Sequence, residues 1–242
     1  MILIEGVRLI ETALQAGARI ERVFFTESLA AGEEGRKVLE MFRRRKDPVF
    51  EVSDRLMDRL SDTESPQGIV AVASYRQMAL EDVTMSDRPL VTVLDGLQDP
   101  GNLGTIIRTS DAAGADAVVL LPGTCDPFTP KPLRASAGSV FNIPVVETEL
   151  ATLLKWTKEK GLLLLVTAGD APDTLYDADL ERPVAFALGN EAHGVGRELR
   201  RAAHLVVSIP VYGKAESLNV GSAAAICLYE AVRQRRLTPR TP

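Results

Sequence analysis

Short apolar runs alternate with segments of helical period from Pro89 onward. Six of these runs are rich in Val, Leu, Ile and Ala and are bounded by glycine, proline or charged residues: LVTVLDG (90–96), AVVLLPG (117–123), IPVVET (143–148), GLLLLVTAG (161–169), PVAFALGNE (183–191) and HLVVSIPV (204–211). Continuous apolar strands are typical of a parallel sheet with helices on both faces. The pattern therefore predicts an α/β fold.

The first third of the chain predicts a smaller α/β unit. Its helical and strand patterns are VRLIETALQAG, closed by Gly17, then RVFFTE, EEGRKVLEMFRRR, PVFEVS and QGIVAVASY. The polar stretch that follows ends in proline and predicts a linker. The predicted organisation is a first domain over 1–76, a linker over 77–88, a second domain over 89–236 and a flexible tail over 237–242.

Composition narrows the class of protein. The 242 residues are 45% hydrophobic, yet no apolar run approaches the roughly 20 residues of a membrane helix. Glu5, Arg8 and Glu11 stand where a signal peptide would be apolar, so we expect a cytoplasmic protein. Cys125 and Cys227 lack the spacing of a disulfide framework or zinc site, which predicts buried free thiols and no metal.

The charge balance is uneven. Lys and Arg number 28 against 33 Asp and Glu, a net charge of −5, whereas proteins that grip nucleic acid usually present a basic surface. Basic residues nevertheless cluster at RRRK (43–46), at Arg197, Arg200 and Arg201, and at RQRR (233–236). Each cluster alone is most simply a solvated helix face.

Familiar catalytic signatures are missing. PVYGKAESLNVGSAAAICLYEAV (210–232) looks like a phosphate loop opening a helix, but it has neither the Walker Lys-Ser/Thr pair nor Gly-x-Gly-x-x-Gly. Gly-x-Ser-x-Gly is absent too. His204 beside a strand favours a structural role over catalysis, and the place of His193 in a polar glycine loop does not favour catalysis either.

Polar residues instead follow three of the predicted strands. We expect Asn102 to cap a helix that carries Arg108, and Ser217 and Asn219 to open the last helix, with Asn219 as its cap. Glu191 projects from a glycine loop that is either a functional loop with a buried, paired carboxylate or a solvent-facing turn. Open α/β sheets bind ligands at the carboxyl ends of their strands. The segments concerned are LDGLQDPGNLGTIIRTSDAAG, FALGNEAHGVG and the 210–232 stretch.

In order and spacing these segments resemble the motifs of the SpoU (TrmH-type) RNA ribose 2′-O-methyltransferases of the SPOUT superfamily. The motifs span Leu94 to Val232, and IEGVRLIETALQAGARIERVFFTE with TESPQGIVAV resembles the family's small ribosomal-protein-like substrate-binding domain. The resemblance implies a parallel sheet whose C-terminal segment threads a deep trefoil knot. Val211, Gly221 and Ala192 depart from residues common in the family, and none of them removes a polar group of the motifs.

The implied reaction is methyl transfer from S-adenosylmethionine to a ribose 2′-hydroxyl. A guanidinium keeps its proton under ordinary conditions, so the implied role of Arg108 is to stabilise the developing alkoxide and to hold the adjacent phosphate. Asn102, Glu191, Ser217 and Asn219 would orient Arg108, the ribose and the cofactor. The implied cofactor-binding residues are Thr167, Leu188, Gly189, Asn190, Ile209, Pro210, Ser217, Leu218 and Asn219.

The resemblance also implies partners. The N-terminal domain favours large-subunit (23S-type) ribosomal RNA, with Arg43, Arg44, Arg45 and Lys46 joining Arg108 as RNA-binding residues. It further implies a homodimer, with no membrane and no metal. A tRNA methyltransferase, a non-catalytic RNA-binding or ribosome-assembly factor of the same fold, and a small-molecule nucleotide enzyme remain as alternatives.

Overall fold

The chain folds around two β-sheets that follow one another in sequence, in a computed structural model that describes residues 1–63, 65–75 and 78–237. The first sheet has the strand order β1-β4-β2-β3 and the second β7-β6-β5-β10-β8-β11-β9. The strands are β1 (Ile2–Glu5), β2 (Arg19–Phe25), β3 (Val49–Glu51), β4 (Ile69–Ser74), β5 (Leu90–Asp95), β6 (Ala117–Leu120), β7 (Val145–Glu147), β8 (Leu163–Thr167), β9 (Asp173–Thr174), β10 (Val184–Gly189) and β11 (Leu205–Ser208). The α-helices are α1 (Val7–Gln15), α2 (Glu27–Ala31), α3 (Glu33–Arg45), α4 (Asp54–Leu60), α5 (Pro100–Ala112), α6 (Pro130–Ala135), α7 (Leu150–Glu159), α8 (Arg197–Ala202) and α9 (Val220–Leu237).

The N-terminal sheet is mixed. Strands β1 and β2 pair antiparallel with β4, and β3 pairs parallel with β2 at the edge. Apolar residues of α1 and α3, such as Ile10, Leu39 and Phe42, are buried in the core beside this sheet. The predicted helix over EEGRKVLEMFRRR is confirmed as α3, and Gly17, with φ at +83°, follows the end of α1 as predicted.

The C-terminal sheet is entirely parallel, as its apolar runs predict. All six predicted strands are present, as β5, β6, β7, β8, β10 and β11, and the short β9 extends the sheet at one edge. Strand β10 lies between β5 and β8, although both precede it in the chain. This order brings the carboxyl ends of early and late strands to the same edge.

The two sheets share a continuous hydrophobic core. At the junction the Tyr75 ring contacts Phe128 and Phe141, with centroids 5.4 and 5.5 Å away, and Arg134 of α6 forms an ion pair with Asp62 at 3.0 Å. The two units therefore pack directly against each other.

The segment predicted as a linker packs against the second sheet. Leu80 and Val83 are buried in a core cluster that includes residues of β5, and residues Leu80–Asp82 form a 3₁₀ turn. Gln77, the first linker residue, and residues 238–242 of the predicted tail lie outside the described residues, whereas Leu237 belongs to α9.

Both cysteines are free, but only one is fully buried. Cys227 lies in the core, where burial raises the pKa of its thiol to about 12, whereas Cys125 is half-buried, so the prediction of burial was wrong for Cys125. Within the described part of the chain, none of the helices has the length and apolar character needed to span a membrane.

Candidate active site

The site begins where β5 and β10 end side by side, with Gly189 opposite Asp95. A Cβ at Gly189 would lie 2.0 Å from the carbonyl carbon of Gly194, so only glycine allows the 190–196 loop to fold back over the strand. The Asp95 carboxylate accepts the Gly196 N–H at 2.7 Å, and the Asn190 side chain donates to the Gly96 carbonyl at 2.8 Å. These bonds fix the loop on β5.

Helix α5 begins with a cap that differs from the prediction. Asp99 is the N-cap, its side chain accepting the Asn102 N–H at 2.7 Å, and Pro100 follows in the first turn. Proline fits the first helical position because its missing N–H is not needed there. The prediction that Asn102 caps this helix was therefore wrong: Asn102 lies inside the first turn, with its side-chain amide available for other partners.

The side-chain amide of Asn102 connects its own segment to the Glu191 loop and to the segment that opens α9. Its Nδ2 donates to Glu191 Oε1 at 3.0 Å, and its Oδ1 accepts from Asn219 Nδ2 at 3.0 Å. Asn219 Oδ1 in turn accepts the N–H groups of Gly221 at 2.9 Å and Ser222 at 3.3 Å, which confirms Asn219 as the cap of α9. We call Glu191, Asn102 and Asn219 the polar chain.

Glu191 is exposed, which agrees with the solvent-facing alternative for its loop and not with a buried carboxylate. Partial desolvation raises its pKa, but hydrogen bonds from the Asn102 side chain and from nearby backbone N–H groups outweigh this effect and leave the pKa below its usual value. The Asp99 N–H contributes at 3.4 Å. Glu191 is thus an ionised acceptor at neutral pH that fixes the polar chain.

The pKa of Asp99 is also lowered, first by the Asn102 N–H and further by Lys131, whose ammonium lies 3.6 Å from the carboxylate. Lys131 belongs to α6, which packs against α5. The capped end of α5 is therefore held from both sides.

Arg108 lies six residues beyond Asn102 on α5 and is exposed. Within the described residues, its guanidinium makes no hydrogen bond or ion pair. The N–H donors of Arg108 therefore remain available to a ligand. Thr105, one turn earlier on α5, faces α9: its methyl group lies 3.3 Å from the position that a Cβ at Gly221 would take.

A cleft of about 320 Å³ opens between the ends of β8 and β11 and the loop before α9. Five of the predicted cofactor residues line it: Thr167, Ile209, Pro210, Ser217 and Leu218. The predicted residues Leu188, Gly189 and Asn190 lie on the neighbouring strand and loop and do not line it, and Asn219 directly follows its last loop residue. The structure thus gathers about half of the predicted set around one cleft.

The chemistry of the cleft suits a cationic ligand with a flat apolar part. Its lining combines apolar side chains, hydroxyl groups and backbone, and among the described residues Glu216 is the one charged side chain that lines it. No described Lys or Arg lines the cleft to repel a sulfonium. S-adenosylmethionine therefore fits the donor set.

A larger cavity of about 710 Å³ lies at the junction of the two sheets, beside Arg8 and Arg134. It contains none of the predicted catalytic residues. Because the polar chain converges elsewhere, we place the candidate active site at Arg108, the polar chain and the smaller cleft.

The remaining predicted residues lie elsewhere. Arg43, Arg44, Arg45 and Lys46 are exposed at the end of α3 in the N-terminal unit, where Arg44 pairs with Glu40 and Arg45 with Asp47, each at 2.8 Å. The structure does not bring them to the polar chain. Histidine 204 has the structural role expected of it, because His204 Nδ1 accepts the Leu164 N–H at 3.0 Å.

The C-terminal basic cluster is not a simple solvated helix face. The half-buried Arg235 donates to the carbonyls of Arg88 and Pro89 before β5 and of Leu180 and Arg182 before β10, at 2.7 to 3.0 Å. Burial lowers its pKa. Arg235 therefore ties the last helix to the starts of two central strands.

Three functional positions were missed in the sequence. Asp95 fixes the Glu191 loop, Asp99 caps α5, and Glu216 lines the cleft. The Asp-Pro pair at 99–100 is itself a helix-start signal. Within the described ranges, no cluster of three or more His, Cys, Asp or Glu could hold a metal ion.

Comparison with known proteins gives a consistent result. The SpoU rRNA Methylase family model matches residues 89–229, and the model for RNA 2′-O ribose methyltransferase substrate binding matches residues 3–79. The chain is 35% identical over 217 residues to the 23S rRNA (guanosine-2′-O-)-methyltransferase RlmB of Shewanella oneidensis, covering 86% of this chain and 88% of that protein.

A second relative is the 23S rRNA (guanosine(2553)-2′-O)-methyltransferase RlmP of Bacillus subtilis, 35% identical over 227 residues that cover 94% of this chain and 86% of that protein. Among solved structures, the SpoU methyltransferase AviRb of Streptomyces viridochromogenes, in complex with AdoMet, superposes with a TM-score of 0.90 at 29% identity. That superposition covers 98% of this chain and 91% of AviRb. The chain belongs to the SpoU rRNA methylase family.

Proposed function

We propose that this protein transfers a methyl group from S-adenosylmethionine to a ribose 2′-hydroxyl of large-subunit ribosomal RNA. The observation that carries the proposal is the polar chain, in which Glu191, Asn102 and Asn219 hold three segments together beside the exposed Arg108. The names of the 23S rRNA methyltransferases that resemble the chain over most of its length support the substrate.

In this proposal Arg108 acts on the RNA. Its guanidinium donates to the 2′-oxygen as negative charge develops there, and its fork of N–H groups also holds the adjacent phosphate. Glu191 fixes Asn102, and Asn102 with Asn219 sets the separation between α5 and the loop that opens α9. Rate then comes mainly from orientation, since the attacking oxygen must lie in line with the methyl carbon and sulfur.

The cofactor would occupy the cleft beside Ser217. When bound there, S-adenosylmethionine would supply the methyl group from its cationic sulfonium and leave as S-adenosylhomocysteine, while the 2′-hydroxyl would lose its proton to solvent. Backbone groups around Ile209, Pro210 and Leu218 suit the adenine, Thr167 and Ser217 offer hydroxyls, and Glu216 offers a carboxylate to the positive charge. Leu188, Gly189 and Asn190 form the adjoining strand end and loop.

Three further properties belong to the proposal. We infer that the segment after β10 threads a trefoil knot, an inference supported by the strand order that places β10 between β5 and β8. We infer a homodimer in which the N-terminal unit of one subunit can serve the active site of its partner. We also infer a cytoplasmic location, where ribosomal RNA is modified.

The decisive experiment measures transfer of labelled methyl from S-adenosylmethionine to unmodified large-subunit ribosomal RNA, followed by mapping of ribose methylation. The proposal predicts incorporation at one 2′-oxygen. Incorporation into tRNA alone would show that the substrate is tRNA and not ribosomal RNA. Cofactor binding without incorporation into either RNA would favour a non-catalytic binding or assembly factor.

The role of the RRRK cluster has its own test. Arg43, Arg44, Arg45 and Lys46 are proposed to contact phosphates, so replacing Arg43 and Lys46 by Gln should reduce the slope of log affinity against log salt by about 0.7 to 0.9 for each phosphate contact that is lost. Because Arg44 and Arg45 have acidic partners, their replacement should reduce the slope less. An unchanged slope in the Arg43, Lys46 variant would remove the cluster from the RNA-binding surface.

A further inference from the structure

An aromatic pair on the N-terminal sheet has one exposed ring and one half-buried ring. Phe24 of β2 and Phe50 of β3 are opposite each other in the parallel ladder, and their rings stack with centroids 5.7 Å apart and an interplanar angle of 27°. Phe50 is 47% exposed, whereas its neighbour Val49 packs against the hydrophobic core. Because side chains alternate along a strand, the pair lies on the face of the sheet opposite that core.

Basic residues precede both rings in the sequence, Arg22 on the same face of the sheet and Arg43 and Lys46 at the end of α3, the helix on the core side. Strand β3 is the edge strand, and its Phe50 follows Lys46, the C-cap of α3, by four residues. Arg22 precedes Phe24 by two residues on β2, is exposed, and shares its face of the sheet. Within the described residues, no ion pair neutralises Arg22, Arg43 or Lys46, whereas Arg44 and Arg45 have acidic partners.

We propose that Phe50, backed by Phe24, stacks on an unpaired base of the RNA substrate while Arg22, Arg43 and Lys46 contact its phosphates. The proposal rests on the RNA substrate proposed above and names the part of the N-terminal unit that contacts it. Aromatic rings bind single-stranded nucleic acid because every base has a flat face, and neighbouring cations hold the backbone.

The charges favour RNA over a second copy of the chain. A two-fold interface places the same patch on both subunits, so it would bring Arg22 of one copy near Arg22 of the other, with no acidic partner for either among the described residues. Such like-charge contacts oppose association, whereas phosphates neutralise the same cations. An unpaired base is required because the bases of a duplex are already stacked on one another.

The test compares full-length variants for binding to a single-stranded polyuridine oligonucleotide and to an RNA duplex of equal length. Phe50→Ala should weaken single-strand binding about tenfold and change duplex binding little. Tyr176→Ala is the matched control, because Tyr176 is 51% exposed in a 3₁₀ turn of the other unit. It should leave both affinities unchanged.

Phe50→Trp supplies a direct readout that does not depend on the fold tolerating alanine. The native Trp156 is buried, so the new indole would report the surface, and single-stranded RNA should quench its emission while affinity is retained. Unchanged single-strand binding in Phe50→Ala, or unquenched emission in Phe50→Trp, would overturn the proposal. A change of oligomeric state in Phe50→Ala without loss of RNA binding would assign the patch to a subunit contact and overturn it as well.

Methyl transfer by the unmodified protein is measured in parallel. If the protein transfers methyl groups but its RNA affinity does not depend on Phe50, the stacking proposal is wrong and the proposed enzyme activity stands. If RNA affinity depends on Phe50 but the protein transfers no methyl group, the stacking proposal stands and the proposed activity is wrong.

Discussion

The two halves of the candidate site are built differently. In the polar chain, each side chain already has protein partners: Asn102 donates to Glu191 and accepts from Asn219, which in turn caps α9. By contrast, within the described residues, Arg108 and Ser217 make no side-chain hydrogen bond and are exposed.

This difference indicates two roles, one in stabilising the loops and one in binding a ligand. Groups whose hydrogen bonds are satisfied within the protein fix the loops and contribute to stability, and groups left free by the fold are those that a ligand can use. We therefore expect changes in the polar chain to lower both stability and activity, and changes at the open positions to lower activity or binding alone.

The largest effect is expected for Arg108→Ala. Loss of a donor to the developing alkoxide should lower the rate of methyl transfer by about 10² to 10³. Affinity for S-adenosylmethionine, measured by calorimetry, should not change, because Arg108 does not line the cleft. Arg108→Lys should recover part of the rate, since lysine restores the charge without the planar fork. A full rate in Arg108→Ala would remove the residue from the reaction.

Asn102→Ala should have the next largest effect. It removes one hydrogen bond from each of the exposed Glu191 and Asn219, which water can partly replace, and we expect the free energy of unfolding to fall by about 0.5 to 1.5 kcal/mol. Urea denaturation measures this directly. Asn142→Ala is a matched control, because Asn142 also donates to a carboxylate, Asp111, but on the surface away from the polar chain. The control should change stability by less than about 0.5 kcal/mol.

Glu216→Gln tests the cofactor cleft and leaves the residues proposed to contact RNA unchanged. Removing the Glu216 charge should weaken S-adenosylmethionine binding by about two- to fivefold, the range for an exposed charge pair. The product S-adenosylhomocysteine lacks the sulfonium charge, so its affinity should fall less. Glu198→Gln on α8, outside the cleft, is the control. Equal losses for both ligands would place Glu216 away from the sulfonium.

The smallest effect concerns the charge of Asp99. Its pKa is lowered in the folded state, so its contribution to stability is complete above the unfolded value of about 4 and is lost as pH falls through the folded value. Asn keeps the cap but not the charge. Asp99→Asn should therefore reduce stability by about 0.5 kcal/mol at neutral pH, and the difference should shrink as pH falls below about 4 and vanish below the lowered pKa of the folded state. A constant difference across denaturation curves from pH 7 to 3 would contradict this.

Sequence patterns predicted the second sheet well and the details of its site less well. Six buried strands follow from continuous apolar runs, and the α9 cap follows from Asn219 ahead of small residues. The α5 cap was misplaced because Asn102 was interpreted as the helix start, although proline is favoured in the first turn of a helix and Asp99 precedes Pro100. Both Asp and Asn are good caps, and the Asp-Pro pair was the local signal that separates them.

Other features were beyond a sequence pattern. The bonds of Arg235 to four carbonyls connect residues about 50 to 150 positions apart, so a basic run near the C-terminus gives no sign of them. The exposure of Glu191 also depends on how tightly the Gly189 and Gly194 backbones approach. The Phe24 and Phe50 pair depends on the register between β2 and β3.

The most direct test of the difference between the two halves is the thermal unfolding midpoint of Asn102→Ala and Arg108→Ala, measured side by side by calorimetry. For a chain of this size each kcal/mol corresponds to roughly 2 to 4 °C. We predict a midpoint a few degrees lower for Asn102→Ala and an unchanged midpoint for Arg108→Ala. An equal fall in both variants, or none in Asn102→Ala, would contradict the distinction between side chains that stabilise the loops and side chains that are left free for a ligand.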